Sequence, residues 1–319
     1  MSIDHESYRI EFLSELDQTM QPAYFLKAEG NEPRPLVVGL HTWSYGLDAG
    51  WINYYNFCKR MNWHLIYPEF RGPNWTPQAL GSDLVVSDLK SAVTYVKSVC
   101  NVDENRVYLV GGSGGGHASL LLAARASGLW TAVSSWCPIS NVGFWHKECF
   151  ESPRKLGYWK HIEQACGGNP QTSPDAAKEA AHRSPVTYLA DAKNKTIIDI
   201  GTGIHDGHTG SVPVSQTFDA FNLLADEADR FSREDIDYMV KTEKIPEHLQ
   251  YKGEEDPAYG PYKVLLRRIS GNVRITIFEG GHDILYGPSF GFLQQQVRGQ
   301  APVWNSGDTY MIAQNALTK

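Results

Sequence analysis

The sequence predicts an α/β fold in which helices cover both faces of a mostly parallel central sheet. Short apolar runs alternate with segments of helical spacing along the first half of the chain, as in repeated strand–helix units. Several of these runs are continuously apolar, for example residues 36–41, which is typical of strands covered on both faces. One run, residues 106–110, leads through a glycine-rich turn into a segment rich in alanine and leucine.

The individual elements follow from the spacing of apolar residues and from the breaks between them. Residues 82–99 carry apolar side chains three and four positions apart, which predicts an amphipathic helix. Residues 63–67 form an apolar run that ends at Pro68, which predicts a buried strand. The same rules predict strands at 24–28, 36–41, 106–110, 130–136, 196–200 and 273–278, and helices at 51–61, 115–126, 213–224 and 290–297.

Two segments interrupt this alternation. Residues 141–195 are rich in Trp, Tyr, Pro, Gly and His and lack strand patterns. They predict a cap inserted above the carboxyl ends of the strands, where ligands bind in such sheets. Residues 226–260 are highly charged and predict a solvated helical excursion. We therefore expect residues 1–319 to form a single domain with these two additions.

Composition excludes several classes of protein. With 42% hydrophobic and 20% charged residues, the chain is typical of folded globular proteins. The 29 basic and 36 acidic residues give a net charge of −7. This argues against a nucleic-acid-binding protein, because binding to phosphates requires a basic surface. No apolar run approaches the ~20 residues that span a bilayer. The polar amino terminus lacks a signal-peptide pattern, so we expect a cytoplasmic protein or a secreted or periplasmic one whose leader was removed.

The five cysteines are odd in number and lack metal-finger spacing. Cys149 and Cys166 flank a loop-like stretch, and in an oxidising compartment they could form a disulfide. The alternative is that they are buried thiols.

The segment with the clearest chemical meaning is Gly111-x-Ser113-x-Gly115, between a predicted strand and a predicted helix. A serine at the tip of such a sharp turn adopts a strained backbone, and the flanking glycines let strand and helix approach closely. Since the helix N-terminus points at developing negative charge, the backbone N–H of Gly114 is a candidate oxyanion-hole donor. Ser113 is therefore the candidate nucleophile.

Two other glycine-rich motifs fit this segment poorly. A phosphate-binding loop of the Lys-Ser/Thr type needs a lysine, and residues 111–118 contain none. A dinucleotide-binding loop needs a third glycine where His117 stands, and it usually follows the first strand. A plain turn remains the alternative to a nucleophile.

A serine nucleophile needs a base, and in this chain order the base comes after the last strand. His282 follows the last predicted strand in the sequence Glu-Gly-Gly-His-Asp, whose glycines let a loop reach over the sheet edge. The acid that orients the imidazole has to lie between the two. Asp206 lies just past an earlier strand and is preferred over Asp199, inside that strand, and Asp283, adjacent to the histidine.

Several segments together match a known pattern. They are Leu40-His41-Thr42-Trp43, Tyr67-Pro68-Glu69-Phe70-Arg71-Gly72, Asp88-Leu89-Lys90-Ser91-Ala92-Val93, the Ser113 turn, the stretch 201–216 and Gly280-Gly281-His282. With them the chain resembles the α/β-hydrolases, and among these the catalytic domain of the prolyl oligopeptidase group and its carbohydrate-esterase relatives. The resemblance implies an α/β-hydrolase fold and a serine–histidine–aspartate triad. It also implies an oxyanion hole made by Gly114 and by a backbone N–H near Thr42 or Trp43.

The sequence departs from this family in three places. Relatives often carry His-Gly-Gly where this chain has His41-Thr42-Trp43. Five residues separate Asp206 from Val212, where relatives have a shorter turn. The first predicted strand lies near the start of the chain, so the β-propeller of the full-length peptidases is not expected. Because a propeller restricts access to short peptides, this expectation favours an esterase.

Aromatic side chains indicate the class of substrate. The chain has nine tryptophans, and Trp and Tyr faces stack on sugar rings and aromatic acyl groups. Candidate substrate contacts are Trp75, Trp136 and Trp145, with Arg71 as a candidate partner for a carboxylate or a sugar hydroxyl. For each aromatic, packing of the cap on the sheet is an equal alternative. A small-molecule or carbohydrate ester is the predicted substrate.

Neither a metal ion nor any other cofactor is expected. His205, Asp206 and His208 are ligand types close in sequence, but no HExxH helix accompanies them, so both histidines are expected to support the Asp206 loop. Three hypotheses remain: an esterase for acylated carbohydrates or small esters, an oligopeptidase-type serine peptidase, and an inactive hydrolase fold used as a binding module. The last requires loss of a triad member, and all three candidates are present.

Overall fold

A single nine-stranded sheet organises the computed structural model, which describes residues 5–305. The strands are β1 (Arg9–Leu13), β2 (Met20–Leu26), β3 (Arg34–Leu40), β4 (His64–Pro68), β5 (Val102–Gly112), β6 (Ala132–Trp136), β7 (Ile197–Gly203), β8 (Val264–Ser270) and β9 (Val273–Phe278). Their order is β1-β2-β4-β3-β5-β6-β7-β9-β8. Neighbours from β4 to β9 are parallel, whereas β1–β2, β2–β4 and β8–β9 are antiparallel. The predicted, mostly parallel sheet is confirmed.

Helices cover both faces of this sheet, as the continuously apolar strands predict. They are α1 (Trp51–Met61), α2 (Asp83–Val99), α3 (Gly114–Arg125), α4 (Val142–Glu151), α5 (Tyr158–Cys166), α6 (Pro174–His182), α7 (Leu189–Ala192), α8 (Ser215–Leu224), α9 (Arg233–Thr242) and α10 (Tyr286–Leu293). Helices α1 and α10 contribute to one apolar layer, and α2, α3 and α8 to another. Strands β4, β6, β7 and β9 are buried along their whole length.

The sequence-based prediction missed both edge strands and displaced the last helix. Strand β1 is mostly exposed and β8 mixes buried with partly exposed residues, so neither shows the continuous apolar run that identified the central strands. Helix α10 begins at Tyr286 rather than at residue 290. The prediction placed its start too late because the first turn contains Gly287 and Pro288, which in sequence indicate a loop. Proline is tolerated there, since the first N–H groups of a helix need no intrahelical acceptor.

Residues 141–195 are helical, with α4 to α7 replacing the strand–helix alternation. Asn141 caps α4 and Ser173 caps α6, each side chain accepting a hydrogen bond from a backbone N–H in the first helical turn. Helices α4, α5 and α6 share an apolar cluster with Trp43, from the loop after β3, which joins this segment to the sheet edge. Cys149 and Cys166 both belong to the cluster, and in the structure they are free, buried thiols.

Residues 226–260 contain one regular α-helix, α9, which is capped by Ser232. Only Ile236 and Met239 are buried on it, and its charged residues face outward. Among residues 5–305, no helix combines the length and the apolarity needed to cross a membrane.

An ion pair inside the sheet joins two central strands. Asp199 of β7 lies opposite Arg274 of β9, and two hydrogen bonds of 2.7 Å connect the carboxylate to the guanidinium. Both side chains are buried, and the guanidinium also donates to the carbonyl of Trp304. Asp199 is therefore occupied by a structural partner, which explains physically why it is a poor candidate for orienting a catalytic histidine.

We expect Asp199→Asn to lower the free energy of unfolding by about 3–5 kcal/mol, because it leaves the buried Arg274 charge uncompensated. Chemical denaturation of the purified protein measures this change. Glu29→Gln is the matched control, since it breaks a pair with Lys59 at the surface and should leave the unfolding midpoint unchanged. Equal effects of the two substitutions would contradict the importance assigned to the buried pair.

Candidate active site

Three candidate catalytic residues lie in loops at one edge of the sheet. Ser113 follows β5, Asp206 follows the end of β7, and His282 follows the end of β9. These strands are parallel, so their carboxyl ends lie on the same side. Sheet topology alone therefore brings together side chains that are far apart in sequence.

Ser113 occupies a strained turn between β5 and α3. Its backbone has φ 57° and ψ −120°, a region that residues other than glycine rarely adopt. A β-carbon at Gly111 would collide with the backbone of Gly115, so this crossing of strand and helix requires glycine. The N–H of Ser113 donates to the carbonyl of Trp136, which fixes the turn against the end of β6.

His282 and Asp206 form a close pair. The Nδ1 atom of His282 lies 2.7 Å from Oδ2 of Asp206, which is buried. The other carboxylate oxygen accepts hydrogen bonds from the N–H groups of Gly207, at 2.9 Å, and Val212, at 3.1 Å. The long turn after Asp206 therefore folds back and still supplies a backbone donor to the carboxylate. A carboxylate held in this way keeps its partner imidazole in one orientation and one tautomer.

The surroundings of His282 act on its charge in opposite directions. Burial favours the neutral ring and lowers the pKa, but Cys137 and the Asp206 carboxylate outweigh burial, so that the pKa of His282 is raised above its usual value. The side chain is 24% exposed, which leaves one part of the ring open to solvent. A base in this setting becomes active as the pH rises.

The backbones of Gly114 and Trp43 lie close together. A β-carbon on Gly114 would be 2.6 Å from both the nitrogen and the α-carbon of Trp43, so the loop after β3 presses against the start of α3. The carbonyl of Trp43 accepts from the N–H of Asn74, whereas that of Thr42 lies 2.9 Å from Nδ1 of His41. Thr42 and Trp43 both remain candidates for the second oxyanion donor.

His41 anchors this loop. Its ring is fully buried, stacks on Phe70 and lies 2.7 Å from the carbonyl of Glu69. Burial lowers the pKa of His41 to about 4, so the ring is neutral near pH 7. The histidine of the His41-Thr42-Trp43 motif thus holds a backbone segment in position.

Arg71 does not face a substrate. Its guanidinium donates to Asp88, at 2.6 and 2.8 Å, and to Asp17, at 2.6 and 3.0 Å, and a further bond reaches Ser14. Asp88 is fully buried, so this network joins α2 to the segment after β1. The sequence-based assignment of Arg71 as a substrate contact was wrong, because local carboxylates already occupy the donors of its guanidinium.

Two of the three predicted tryptophan contacts are packing residues. Trp136 is buried, and its indole N–H lies within hydrogen-bond distance of the Ser134 and Ser289 hydroxyls. Trp145 is equally buried and donates to the carbonyl of Ser211. Neither ring face is available to a ligand. Trp75 remains a candidate, since it is partly exposed and its ring lies 5.0 Å from that of His161.

His205 forms a bridge between carboxylates beside the candidate site. Its Nδ1 lies 2.7 Å from Glu243, which directly follows α9, and its Nε2 lies 2.6 Å from Glu279, in the loop that carries His282. These two hydrogen bonds raise the pKa of His205. His208 contacts the carbonyl of Val240 at 2.6 Å. In this arrangement both histidines support the loop of Asp206, as proposed from the sequence.

Sequence reasoning missed Cys137 and Gly210. Cys137 follows β6 directly, and in residues 5–305 it completes the one group of three potential metal ligands, with Asp206 and His282. Its position at the carboxyl end of a central strand was a usable signal. A β-carbon at Gly210 would be 2.6 Å from Cβ of His282 and closer still to Asp206. No sequence pattern marks that approach, because it depends on how the long turn folds back.

The sheet, the serine turn and the histidine–aspartate pair are arranged as in the α/β-hydrolase fold. Comparison with known protein families matches residues 71–260 to the prolyl oligopeptidase family. The matched segment is more than half of the chain and contains Ser113 and Asp206. The chain belongs to the prolyl oligopeptidase family, a group of serine hydrolases, and the resemblance seen in the sequence is confirmed.

Solved structures of similar fold include peptidases and an esterase. Acylaminoacyl peptidase of Pyrococcus horikoshii has a TM-score of 0.58 and 14% identity, with 97% of this chain and 43% of that chain covered. A puromycin-hydrolyzing peptidase of Mycobacterium tuberculosis has a TM-score of 0.58 and 15% identity, covering 92% and 40%. Acetyl xylan esterase from Paenibacillus sp. R4 has a TM-score of 0.51 and 16% identity, covering 68% and 73%.

The chain spans less than half the length of the two peptidases. At these identities, the likeness to all three structures concerns the fold. Comparison with curated proteins found no match.

We expect Gly210→Ala to reduce the hydrolysis of p-nitrophenyl acetate by at least about 100-fold, because the added methyl group displaces Asp206 and His282 from each other. Circular dichroism checks that the variant is folded. Gly157→Ala is the matched control, since a β-carbon there meets no atom within 4 Å, and its rate should equal that of the wild type. A Gly210→Ala protein with the full rate would show that the tight packing of this turn is not needed.

Proposed function

We propose that this protein is a serine esterase that cleaves carboxylic esters through an acyl-enzyme formed on Ser113. The observation that carries the proposal is the 2.7 Å contact of His282 with buried Asp206, at the sheet edge where Ser113 occupies its strained turn. These residue types in this chain order match the serine–aspartate–histidine sequence of hydrolases of this fold. Family membership supports the same chemistry.

In the proposed mechanism, His282 acts first as a base and then as an acid. Its Nε2 takes the hydroxyl proton of Ser113 while Oγ attacks the ester carbonyl, and Asp206 stabilises the imidazolium that forms. His282 then gives the proton to the departing alcohol. A water molecule, deprotonated by the same ring, attacks the acyl-enzyme, and return of the proton to Oγ releases the carboxylic acid and restores Ser113.

The negative charge of each tetrahedral intermediate requires fixed donors. The N–H groups of Gly114 and Trp43 are suited to this role, because both belong to backbone segments that tight packing holds in place. The α3 dipole adds to the same field, since Gly114 is its first residue. Two such donors lower the barrier without any reorganisation during the reaction.

Partly exposed aromatic rings favour an ester of a carbohydrate or another small alcohol. His161 accepts from the indole N–H of Trp43, at 3.2 Å, and its ring adjoins that of Trp75. Tyr158 flanks the same group, and Tyr45, in the loop after β3, is 59% exposed. Rings placed next to an oxyanion loop can stack on a sugar. The fold likeness to an acetyl xylan esterase is compatible with this substrate class.

A peptidase of the oligopeptidase type is the second candidate, since the family and two of the similar structures carry that activity in their names. Amide cleavage would use the same three residues, with His282 protonating an amine instead of an alcohol. The two candidates therefore differ in substrate and not in machinery.

A hydrolysis panel separates the candidates. Wild type and Ser113→Ala are compared on p-nitrophenyl acetate, butyrate and ferulate, acetylated xylan and an aminoacyl-p-nitroanilide. We expect ester turnover that falls at least about 10⁴-fold in Ser113→Ala, because the nucleophile is lost and only binding and the oxyanion donors remain. Anilide turnover comparable to that of a matched ester and dependent on Ser113 would replace the esterase by a peptidase. Wild type inactive on the whole panel would favour the binding module.

The pH dependence of kcat/KM tests His282 as the base. Only the neutral ring accepts a proton, so the rate should be low in acid and rise with pH, with a midpoint above 6.5, since the pKa of His282 is raised. Asp206→Asn should move the midpoint to lower pH and reduce the maximal rate, because the carboxylate no longer favours the imidazolium. The measurement is made with a chelator present. A profile that is flat from pH 5 to about 9 would exclude this base.

A further inference from the structure

A thiol adjoins the proposed catalytic pair, and the mechanism above does not use it. Cys137 Sγ, a carboxylate oxygen of Asp206 and a ring nitrogen of His282 all lie within 4.8 Å of one another. Cys137 is fully buried, whereas His282 is partly exposed, so an ion from solvent meets the ring first. Thiolate, imidazole and carboxylate are the three side-chain ligand types that zinc uses in proteins.

The backbone holds this thiol in position. Cys137 has φ 46°, in the left-handed region that residues other than glycine rarely occupy. Its N–H donates to the carbonyl of Gly201 at 2.8 Å, and Sγ lies 3.4 Å from the carbonyl of Asp283. These contacts join the end of β6 to β7 and to the loop that carries His282. The sulfur is therefore held in place before an ion binds.

We propose that Cys137, Asp206 and His282 form an inhibitory binding site for Zn²⁺ and similar borderline-soft divalent ions. In a tetrahedral site with bonds of about 2.0–2.3 Å, ligand atoms are about 3.3–3.8 Å apart, so side-chain shifts of an ångström or less bring the three atoms into place. Three protein ligands leave a fourth position for water. Mg²⁺ and Ca²⁺ prefer oxygen ligands alone and should bind poorly.

Binding requires a defined movement of protons. Cys137 binds a metal ion as its thiolate, so the proton of the S–H leaves as the metal–sulfur bond forms. If the ion binds Nδ1 of His282, the ring proton moves to Nε2, and if it binds Nε2, it occupies that lone pair directly. In both cases Nε2 can no longer accept the proton of Ser113, which is why the occupied site is inactive.

Inhibition rests on the proposed function, but binding does not, so two measurements are made under reducing conditions. The first is Co²⁺ titration followed by the thiolate-to-cobalt absorption in the near ultraviolet. The second is the Zn²⁺ concentration that halves the ester hydrolysis of the wild type and of each cysteine variant, relative to the metal-free rate of the same protein. Mg²⁺ at the same concentrations is the control ion. The variants are Cys137→Ser, Cys137→Ala, His282→Gln, Ser113→Ala and Cys100→Ser, the last altering the one partly exposed cysteine.

We expect the cobalt absorption in wild type, Cys100→Ser and Ser113→Ala, and its loss in both Cys137 variants. The half-inhibiting Zn²⁺ concentration should rise at least about tenfold in the Cys137 variants, since one ligand is gone. His282→Gln should weaken cobalt binding without altering the thiol, which tests the site even if neither Cys137 variant folds.

Absorption that persists without Cys137, no absorption in the wild type, or equal Zn²⁺ sensitivity with and without the thiol would each overturn the proposal. A wild type that binds Co²⁺ through Cys137 but hydrolyses no ester would refute the proposed function alone. An active wild type without this absorption would refute the metal site alone.

Discussion

The strained turn at Ser113 is the constraint on which the rest of the site depends. Its backbone conformation costs about 1–3 kcal/mol and persists only because the surroundings determine it. Gly111 lets α3 cross the end of β5, and Gly114 lets the loop of Trp43 approach the first turn of the helix. The same crossing that strains the serine therefore brings the backbones of Gly114 and Trp43 close together. The proposed nucleophile and the proposed oxyanion hole both depend on this one crossing of strand and helix.

The proposed acid and base depend on a second junction, between the ends of β7 and β9. Backbone hydrogen bonds connect Ile204 to Phe278 and His205 to Gly280, so the two loops form one unit. The side chain of His205 strengthens the junction through its carboxylate contacts. Because Asp206 directly follows His205, these contacts also hold its carboxylate in a fixed position. Main-chain contacts therefore set the positions of the two loops in this half of the site, and the side chains of these loops provide the proposed acid and base.

Much of this architecture could be predicted. The strands of a parallel sheet appear in the sequence as continuously apolar runs, and the candidate catalytic residues follow these runs directly. The exceptions have physical causes. Strand β1 escaped prediction because an edge strand is half exposed and alternates. Arg71 was misassigned because its partners, Asp17 and Asp88, are distant in sequence and meet it only in the folded chain. Cys137 was overlooked because a single cysteine has no motif, and its neighbours are set by strand order alone.

The most direct test of the central claim is the site at which an activated fluorophosphonate attaches. Such a reagent phosphonylates a serine only where a base activates the hydroxyl and donors stabilise the developing charge. Peptide mass spectrometry after stoichiometric labelling should find one adduct, on Ser113, and labelling should slow by orders of magnitude when His282 is replaced by glutamine. An adduct on any other residue, or equally fast labelling without His282, would contradict the assignment of Ser113 as the activated nucleophile.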